Sequence, residues 1–299
     1  MNYLLHLLIY LSIYSIVAMS LNMVVGYCGL LSLAHAGYFA VGSYVYALTT
    51  LKLGLGFLPA LTLAIGLAAV LSLALSLPAW RFKGDSFVMV SLAIQALFFS
   101  VFLNWSNPGA EPGTMTNLTN GPLGLAGIPK PSLLLFKTDS LPSIAILSLV
   151  LATLCGLFCW RLLASPWGRL LKSMRDDELA LRGLGKNVRL AKLQVFAIAC
   201  GMAAVAGAIY ASYVGYINPS AASLDQSILM LCMVLVGGVS NLRGPLVGAL
   251  VLLAIPEFLR FAQIPDALAA NVRLMLYGIA LVLMMHFRPQ GIAGEYRIQ

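Results

Sequence analysis

The sequence predicts an all-α polytopic membrane protein with eight or nine transmembrane helices. Of its 299 residues 61% are hydrophobic and 9% are charged, whereas a soluble domain carries about 25% charged residues. Several long runs contain no charge at all, and the first of them covers residues 1–51. Because a helix of about 20 residues crosses a bilayer, most of these runs are long enough to span one. The sequence lacks the short alternating strands of a β-barrel, so helices are the expected spanning elements.

The expected spans follow the charge-free runs along the chain. The first run begins uncharged and continues as apolar sequence, so we interpret it as a retained span and not as a cleaved signal peptide. Gly26 and Gly29 either separate the first two spans or break one helix, and the count is therefore eight or nine. Counted as nine, the spans are 4–25, 28–50, 57–79, 86–105, 141–162, 193–213, 225–241, 245–262 and 270–287.

Basic residues at the ends of the apolar runs predict the orientation. With nine spans and the N-terminus outside, four basic sets fall on one side, and the positive-inside rule makes that side cytoplasmic, together with the C-terminus. Lys130 and Lys137, in a long loop that also carries acids, oppose the rule only weakly. The net charge of +8 therefore indicates membrane topology and not nucleic-acid binding. The sets are Arg81 with Lys83, eight basic residues from Arg161 to Lys192, Arg243, and Arg288 with Arg297.

The whole chain, 1–299, is expected to form one transmembrane domain with two long loops. The segment 106–140 is rich in Pro, Gly, Asn and Thr, a composition that ends helices and makes turns, so we expect an ordered or semi-ordered external loop there. The segment 163–192 is the expected cytoplasmic loop.

Polar residues and glycines inside apolar runs are the candidates for a translocation path. Such groups either face a water-filled cavity or form hydrogen bonds between closely packed helices, and both interpretations stay open. The Gly-interrupted segments "GYCGLLSLAHAG" and "VGGVSNLRGPLVGA" strengthen the first, because unwound backbone in a membrane lines a cavity. A further stripe of Ala203, Gly207 and Ala211 predicts close helix packing. The path candidates are Asn22, Ser32, His35, Gln95, Gly237 and Gly238.

No catalytic constellation is visible in the sequence. There is no phosphate-binding G-x-x-x-x-G-K-[ST] motif, no paired carboxylates, no Ser-His-Asp set and no His-rich metal site. We therefore expect no enzyme activity and no cofactor in this chain. An energy-coupled transporter of this composition needs its energy from a partner.

The segment 169–192, "RLLKSMRDDELALRGLGKNVRLAK", mixes acids, bases and leucines between two spans. A solvated loop explains only the bases, and a lipid-binding helix does not explain three consecutive acids, Asp176, Asp177 and Glu178. A docking helix for a soluble protein explains every feature, because mixed charge gives complementarity and apolar residues give buried anchors. We expect a short amphipathic helix followed by a turn.

The motifs of nearly the whole chain resemble the permeases of branched-chain amino-acid ABC importers. The similar segments are "LNMVVGYCGLLSLAHAGYFAVGSY", "TNGPLGLAGIP", the long run that begins "SPWGRLLKSMRDDELALRGLGKNVRLAKLQVF", "VLVGGVSNLRGPLVGA" and "FRPQGI". The spacing of Arg81 to Ala93 favours the M-type subunit. Ser240 stands where the family commonly has Gly, and Gln95 with Ala96 replaces a usual Gly-Glu pair.

The resemblance implies an ABC importer permease fold and a loop that docks onto an ATPase. By position, the docking residues would be Arg175, Asp176, Asp177, Glu178, Ala180, Gly183 and Gly185. The implied partners are two ABC ATPase subunits, which hold ATP and Mg, a second homologous permease, a periplasmic or lipid-anchored binding protein, and the bilayer of a bacterial inner membrane. The implied cargo is a branched-chain amino acid or a related small amino acid or amide. The alternative is a secondary transporter or channel that acts without an ATPase.

Overall fold

The computed structural model describes residues 2–107, 109–133, 136–137, 140–261, 266–288 and 290–293. A π-helical turn, Met23–Tyr27, extends the first helix, and two short antiparallel pairs join β1 (Leu125–Ala126) to β4 (Tyr216–Ile217) and β2 (Ser132–Leu133) to β3 (Phe136–Lys137). The helices are α1 (Asn2–Asn22), α2 (His35–Leu53), α3 (Phe57–Leu71), α4 (Leu73–Ala79), α5 (Asp85–Asn104), α6 (Leu141–Ala164), α7 (Pro166–Asp176), α8 (Glu178–Gly183), α9 (Val188–Val214), α10 (Leu224–Gly237), α11 (Arg243–Phe261) and α12 (Asp266–Phe287).

The predicted helical membrane architecture is confirmed in its main features. Within the described residues, five helical segments are long and apolar enough to cross a membrane, and they coincide with five of the expected spans. The number of spans beyond these five stays a prediction. The five are Tyr3–Tyr27, Phe57–Ala79, Asp85–Asn104, Leu141–Ala164 and Val188–Val214.

The helix ends define two faces of the molecule. One end carries residues 80–84, α7, α8 and the α10–α11 turn, and we call it the basic face. There Lys83, in the α4–α5 turn, pairs with Glu178 of α8. The chain segment 290–293 also lies on this face, because Ala293 N donates to Gly237 O at 2.9 Å. Arg297 lies outside the described residues. We call the opposite end, which carries residues 105–133, the loop face; β1 pairs there with β4 just after α9.

Helices α2 and α9 pack with their backbones in close contact. A Cβ atom on Gly207 would collide with Phe39 O, and one on Gly42 would collide with the Ala204 backbone. The close approach lets Ser43 Oγ donate to Gly207 O at 2.8 Å. The predicted small-residue stripe on α9 is therefore confirmed as a helix-packing surface.

Two of the expected spans are interrupted. The second, 28–50, is irregular over 28–34 and becomes helical only at His35. The seventh, 225–241, is the 14-residue α10, which is about 21 Å long and shorter than the roughly 30 Å hydrocarbon core. The irregular chain at 28–34 lies within the segment "GYCGLLSLAHAG", where the sequence predicted a Gly-interrupted span. The expected bounds 28–50 and 225–241 are too long as helices, because α2 begins only at His35 and α10 already ends at Gly237.

The interrupted helices start at the same depth, halfway along α5. Gln95 lies near the middle of α5, where its Oε1 accepts from Gly37 N at 3.0 Å and its Nε2 donates to Ala222 O at 2.5 Å. Ala36 N donates to Ser227 Oγ at 3.2 Å. The first turns of α2 and α10 therefore meet beside Gln95, and the two helices run away from it toward opposite faces.

Candidate functional site

The chain between α6 and α9 folds into the two short helices α7 and α8 on the basic face. The hydroxyl of Ser165 caps α7 by accepting from Trp167 N at 3.2 Å. The carboxylate of Asp177 caps α8 by accepting from Leu179 N at 2.9 Å and Ala180 N at 3.0 Å. Gly183 ends α8, and Gly185 follows with a φ of +73°. The predicted short helix followed by a turn is thus present, preceded by a second helix.

Glu178 holds α8 against the ends of the spanning helices. Its side chain is only 9% exposed, and its carboxylate lies 2.6 Å from Lys83 Nζ, 2.5 Å from an Arg182 guanidinium nitrogen and 3.3 Å from Lys192 Nζ. Lys192, in the first turns of α9, is itself buried and donates to Ala79 O at 2.7 Å. Glu178 therefore joins the α4–α5 turn, α8 and α9 at one point.

The ionisation of Glu178 follows from this environment. Desolvation by burial raises the pKa of its carboxyl group, but hydrogen bonds and charge from Lys83 and Lys192 outweigh that effect. The net pKa lies below its ordinary value, so the carboxylate is ionised at neutral pH. The ion-paired cluster is therefore fully formed under physiological conditions.

Arg175 connects the same loop to two other elements. Its Nη1 donates to Gly26 O, in the π-helical turn, at 2.6 Å and also to the hydroxyl of Ser240 in the α10–α11 turn. Ser240 Oγ donates to Gly26 O at 2.7 Å, and Ser240 N donates to Asn22 Oδ1 at 3.2 Å. We call Arg175, Gly26, Ser240 and Asn22 the latch. Gly29 packs directly against the Arg175 side chain.

The three consecutive acids occupy different environments. Asp177 caps α8 and Glu178 is enclosed by cations, whereas Asp176 has a 58% exposed side chain and pairs with Arg175 Nε at 3.1 Å. The loop also exposes two apolar side chains, because Leu179 and Leu184 are 71% and 76% exposed. Ala180, Gly183 and Gly185 are exposed beside them.

A groove of about 290 Å³ separates this loop from the spanning helices. Its walls are Cys28, Gly29 and Leu30 on one side and the loop residues from Met174 to Leu179 on the other, with Lys83, Gly84 and Lys192 at its end. The predicted docking residues Arg175, Asp176, Asp177 and Glu178 all contribute to it. The loop, the groove and the latch thus form one contiguous site on the basic face.

The residues predicted to line a translocation path lie in two places. Gln95 lines a cavity of about 220 Å³ at mid-depth together with Ala222 and Ser223. His35 is buried nearby, where its Nε2 forms a hydrogen bond of 2.7 Å with Ser20 Oγ, and Ser32 Oγ accepts from Ala34 N at 3.4 Å in the irregular segment 28–34. These contacts bring three of the candidates near the start of α2.

The other three candidates lie at the basic face. Asn22 belongs to the latch, and Gly237 packs against the Gly244 backbone so closely that a Cβ atom would collide with it. Gly238 has a φ of +110°, a conformation that favours glycine. These residues close the α10–α11 turn, so their position fits the packing alternative that the sequence left open, and their role in a path stays a prediction.

Two residues of this site were not among the predicted functional residues. Lys192 stood out only as the last charge before an apolar run, and its burial beside Glu178 depends on the fold. Ser240 was visible as a departure from the family's usual Gly, and its φ of +68° preserves the backbone conformation of a glycine while adding a hydroxyl.

Comparisons with known proteins agree with this architecture. The family described as "Branched-chain amino acid transport system / permease component" matches residues 3–285. The chain is 30% identical to the high-affinity branched-chain amino acid transport system permease protein LivM of Escherichia coli, over 96% of this chain and 69% of that protein. It is 27% identical to a probable LivM of Methanocaldococcus jannaschii, over 97% and 92%, and 26% identical to LivH of E. coli, over 96% and 93%.

No solved structure matches the chain. The family match nevertheless covers nearly all of the described helices, and the apolar helices fit a polytopic membrane protein. The chain belongs to the family of branched-chain amino acid transport system permease components, and it is a multi-pass membrane protein.

Proposed function

We propose that this chain is the transmembrane permease subunit of an ABC importer in a bacterial inner membrane. Its cargo is a branched-chain amino acid, the substrate class in the names of its relatives, or a related small amino acid or amide. The observation that carries the proposal is the family match combined with a folded loop, α7–α8, that exposes leucines beside the ends of the spanning helices. The basic face is then cytoplasmic, together with the C-terminus.

The partners follow from this assignment. Two ATPase subunits bind ATP and Mg and supply the energy, a second homologous permease completes the membrane part, and a periplasmic or lipid-anchored binding protein delivers the cargo. This chain holds no cofactor, and all of 1–299 acts as one permease domain with eight or nine spans. Relatives named LivM and LivH support a paired permease, because both match this chain over most of its length.

The docking surface consists of the exposed apolar residues of α8 and the turn after it. A solvent-exposed Leu179 and Leu184 on a cytoplasmic loop are suited to fill a pocket on a soluble partner. Asp177 and Glu178 instead keep α8 folded and positioned, so they act on docking through the shape of the loop. Arg182 and Lys186, exposed between the leucines, supply the polar rim.

Coupling runs from this surface through the latch. When the ATPases move α7–α8, Arg175 pulls on Gly26 and Ser240, which lie at the ends of α1 and α10. The irregular segment that follows α1 and the connection that precedes α10 both reach the mid-depth cavity at Gln95. The latch therefore connects two distant sites through one set of hydrogen bonds, as energetic coupling requires.

The docking assignment is tested by pull-down of the ATPase subunits with the intact permease. Leu179→Ser combined with Leu184→Ser removes the anchors without touching the cap of α8 or the Glu178 cluster, and we expect co-purification of the ATPases to fall severalfold. Leu123→Ser, which changes a leucine of similar exposure (74%) on the opposite, loop face, is the matched control. Undiminished co-purification of the double variant refutes this docking surface.

The competing function, a secondary transporter or channel, is separated by reconstitution. Proteoliposomes that contain this chain alone, with an ion gradient, are compared with proteoliposomes of the complete complex with ATP. We expect leucine uptake only in the complete complex and only with hydrolysable ATP. Uptake by this chain alone under an ion gradient establishes the competing function instead.

A further inference from the structure

A large cavity opens among α1, α10, α11 and α12, away from the site on the basic face. It has a volume of about 700 Å³ and is lined by an unusual number of tyrosines together with two acids. Tyr3 and His6 lie at its outer end, near the loop face, and Tyr10 lies one turn farther in. Asp225 of α10 and Glu257 of α11 supply the acids. Neither acid belongs to the coupling site.

The depth of these acids is unusual for a membrane protein. Asp225 lies in the first turn of α10, immediately after Ser223, whose carbonyl accepts from Gln95 Nε2 at 3.3 Å halfway along α5. Glu257 lies 14 positions after Arg243, or about 21 Å along α11 from the basic face. Acids at such depth face a water-filled cavity or a binding site, because the hydrocarbon cannot solvate them.

The cavity carries negative charge that the described residues do not neutralise. Among the described residues no ion pair is formed by Asp225 or Glu257, and Glu257 Oε2 is buried without a hydrogen-bond partner. His6 uses its Nδ1 in a hydrogen bond with the hydroxyl of Tyr213. Two acids without an ion pair among the described residues make this cavity suited to bind a cation.

The walls indicate which kind of cation fits. The Tyr10 ring stacks on Tyr14 at 6.5 Å, and both rings line the same cavity as the two acids, together with Tyr3, Tyr210 and Tyr277. Aromatic faces attract organic cations, and carboxylates accept the hydrogen bonds of an ammonium group. No group of three or more metal-binding side chains is present in the part of the chain that was described, which disfavours a metal ion.

We propose that this cavity is a binding site for primary ammonium groups that enter from the loop face, with Asp225 and Glu257 as the acceptors. The inference goes beyond the proposed function, since it needs neither ATP nor an ATPase. Two sources share this chemistry: a dissolved amine or amino acid, and the headgroup of phosphatidylethanolamine. The volume of about 700 Å³ accommodates either one.

The test measures binding to the full-length permease in phosphatidylcholine nanodiscs, which contain no primary ammonium. The probe is radiolabelled isoamylamine, and its isosteric carboxylate 4-methylpentanoate is the competitor. We expect saturable amine binding that 4-methylpentanoate does not displace. Asp225→Asn and Glu257→Gln should each weaken it about 10- to 100-fold, because each removes a charge-assisted hydrogen bond. Glu111→Gln, an exposed acid on the same face, is the matched control and should bind as the unaltered protein does.

Asp225→Glu retains the charge and should retain binding, which separates a lost ligand contact from a misfolded protein. Nanodiscs that contain phosphatidylethanolamine distinguish the sources: a raised apparent Kd for the amine assigns the site to the lipid headgroup, and an unchanged Kd assigns it to the dissolved amine. The proposal is overturned by absence of saturable amine binding, by displacement with equimolar Na⁺, or by an equal loss in Glu111→Gln. ATP-dependent uptake by the complete complex is measured separately, so failure here leaves the permease assignment intact.

Discussion

Removing the Glu178 carboxylate should destabilise the whole basic face. In Glu178→Ala, Lys192 keeps a buried ammonium group that still donates to Ala79 O but has lost its carboxylate. The Lys83 and Arg182 side chains are 53% and 44% exposed, so the loss of each of those pairs contributes about 0.5 kcal/mol or less. Loss of one partner from a buried pair costs about 3–5 kcal/mol, and the partial exposure of Glu178 places this pair at the lower end. We expect a total of about 3–4 kcal/mol.

Thermal unfolding of the permease in nanodiscs measures this effect. At roughly 2 °C for each kcal/mol in a chain of this size, the melting temperature should fall by about 6–8 °C. Asp176→Ala is the matched control, because it removes a neighbouring acid whose side chain is 58% exposed, and it should shift the melting temperature by less than about 2 °C.

A double-mutant cycle measures the interaction energy between Glu178 and Lys192. Lys192→Met alone and together with Glu178→Ala should show a coupling of about 2 kcal/mol, because the double variant no longer leaves a buried charge without a partner. Equal destabilisation by Glu178→Ala and Asp176→Ala, or a coupling near zero, would refute the claim that this pair anchors α8.

Three further effects are expected. Arg175→Lys retains the charge but loses the guanidinium fork, so ATPase binding should persist while uptake per ATP hydrolysed falls severalfold; Arg169→Lys, at an exposed position of α7, is the control, and equal ratios in both contradict the latch. Gly207→Ala should lower the melting temperature by several degrees, whereas Gly66→Ala, with open space around its Cβ, should not. Because the pKa of Glu178 is lowered, its stabilisation should persist above about pH 4.3 and disappear as the pH falls through the lower folded value, which melting curves across pH 3–7 would show.

Much of the architecture could be predicted from patterns that depend on local sequence. Charge-free runs indicate that a helix is surrounded by lipid, so the five long spans and the loop on the basic face could be predicted. Small residues at four-residue spacing indicate that two helix backbones pack closely, and Gly207 could be predicted in this way. Both kinds of signal are independent of which distant segments meet.

The rest depends on contacts between residues far apart in sequence. The depth at which α10 begins is determined by Gln95, 128 positions before Ser223, and periodicity carries no information on it. Asp225 and Glu257 were overlooked for the same reason, since each is a lone acid in its own segment. The three acids of the loop resembled one docking patch in the sequence, and only the positions of Lys83 and Lys192 reveal that Glu178 is held inside.

The two interrupted regions are related in both sequence and direction. The tripeptide Val-Gly-Tyr occurs at 25–27, where α1 reaches the basic face, and again at 214–216, where α9 reaches the loop face. The first is followed by the irregular segment 28–34, and the second by β4 and a short 3₁₀ turn, Pro219–Ala222; each segment leads into a helix whose first residues lie beside Gln95. The two halves therefore enter the membrane from opposite faces and meet at one depth. Arg175 binds the carbonyl of Gly26, and only residues 27–34 lie between Gly26 and His35. In the coupling that we propose, a movement of α7–α8 is therefore transmitted to this meeting point through a short segment, with no intervening span.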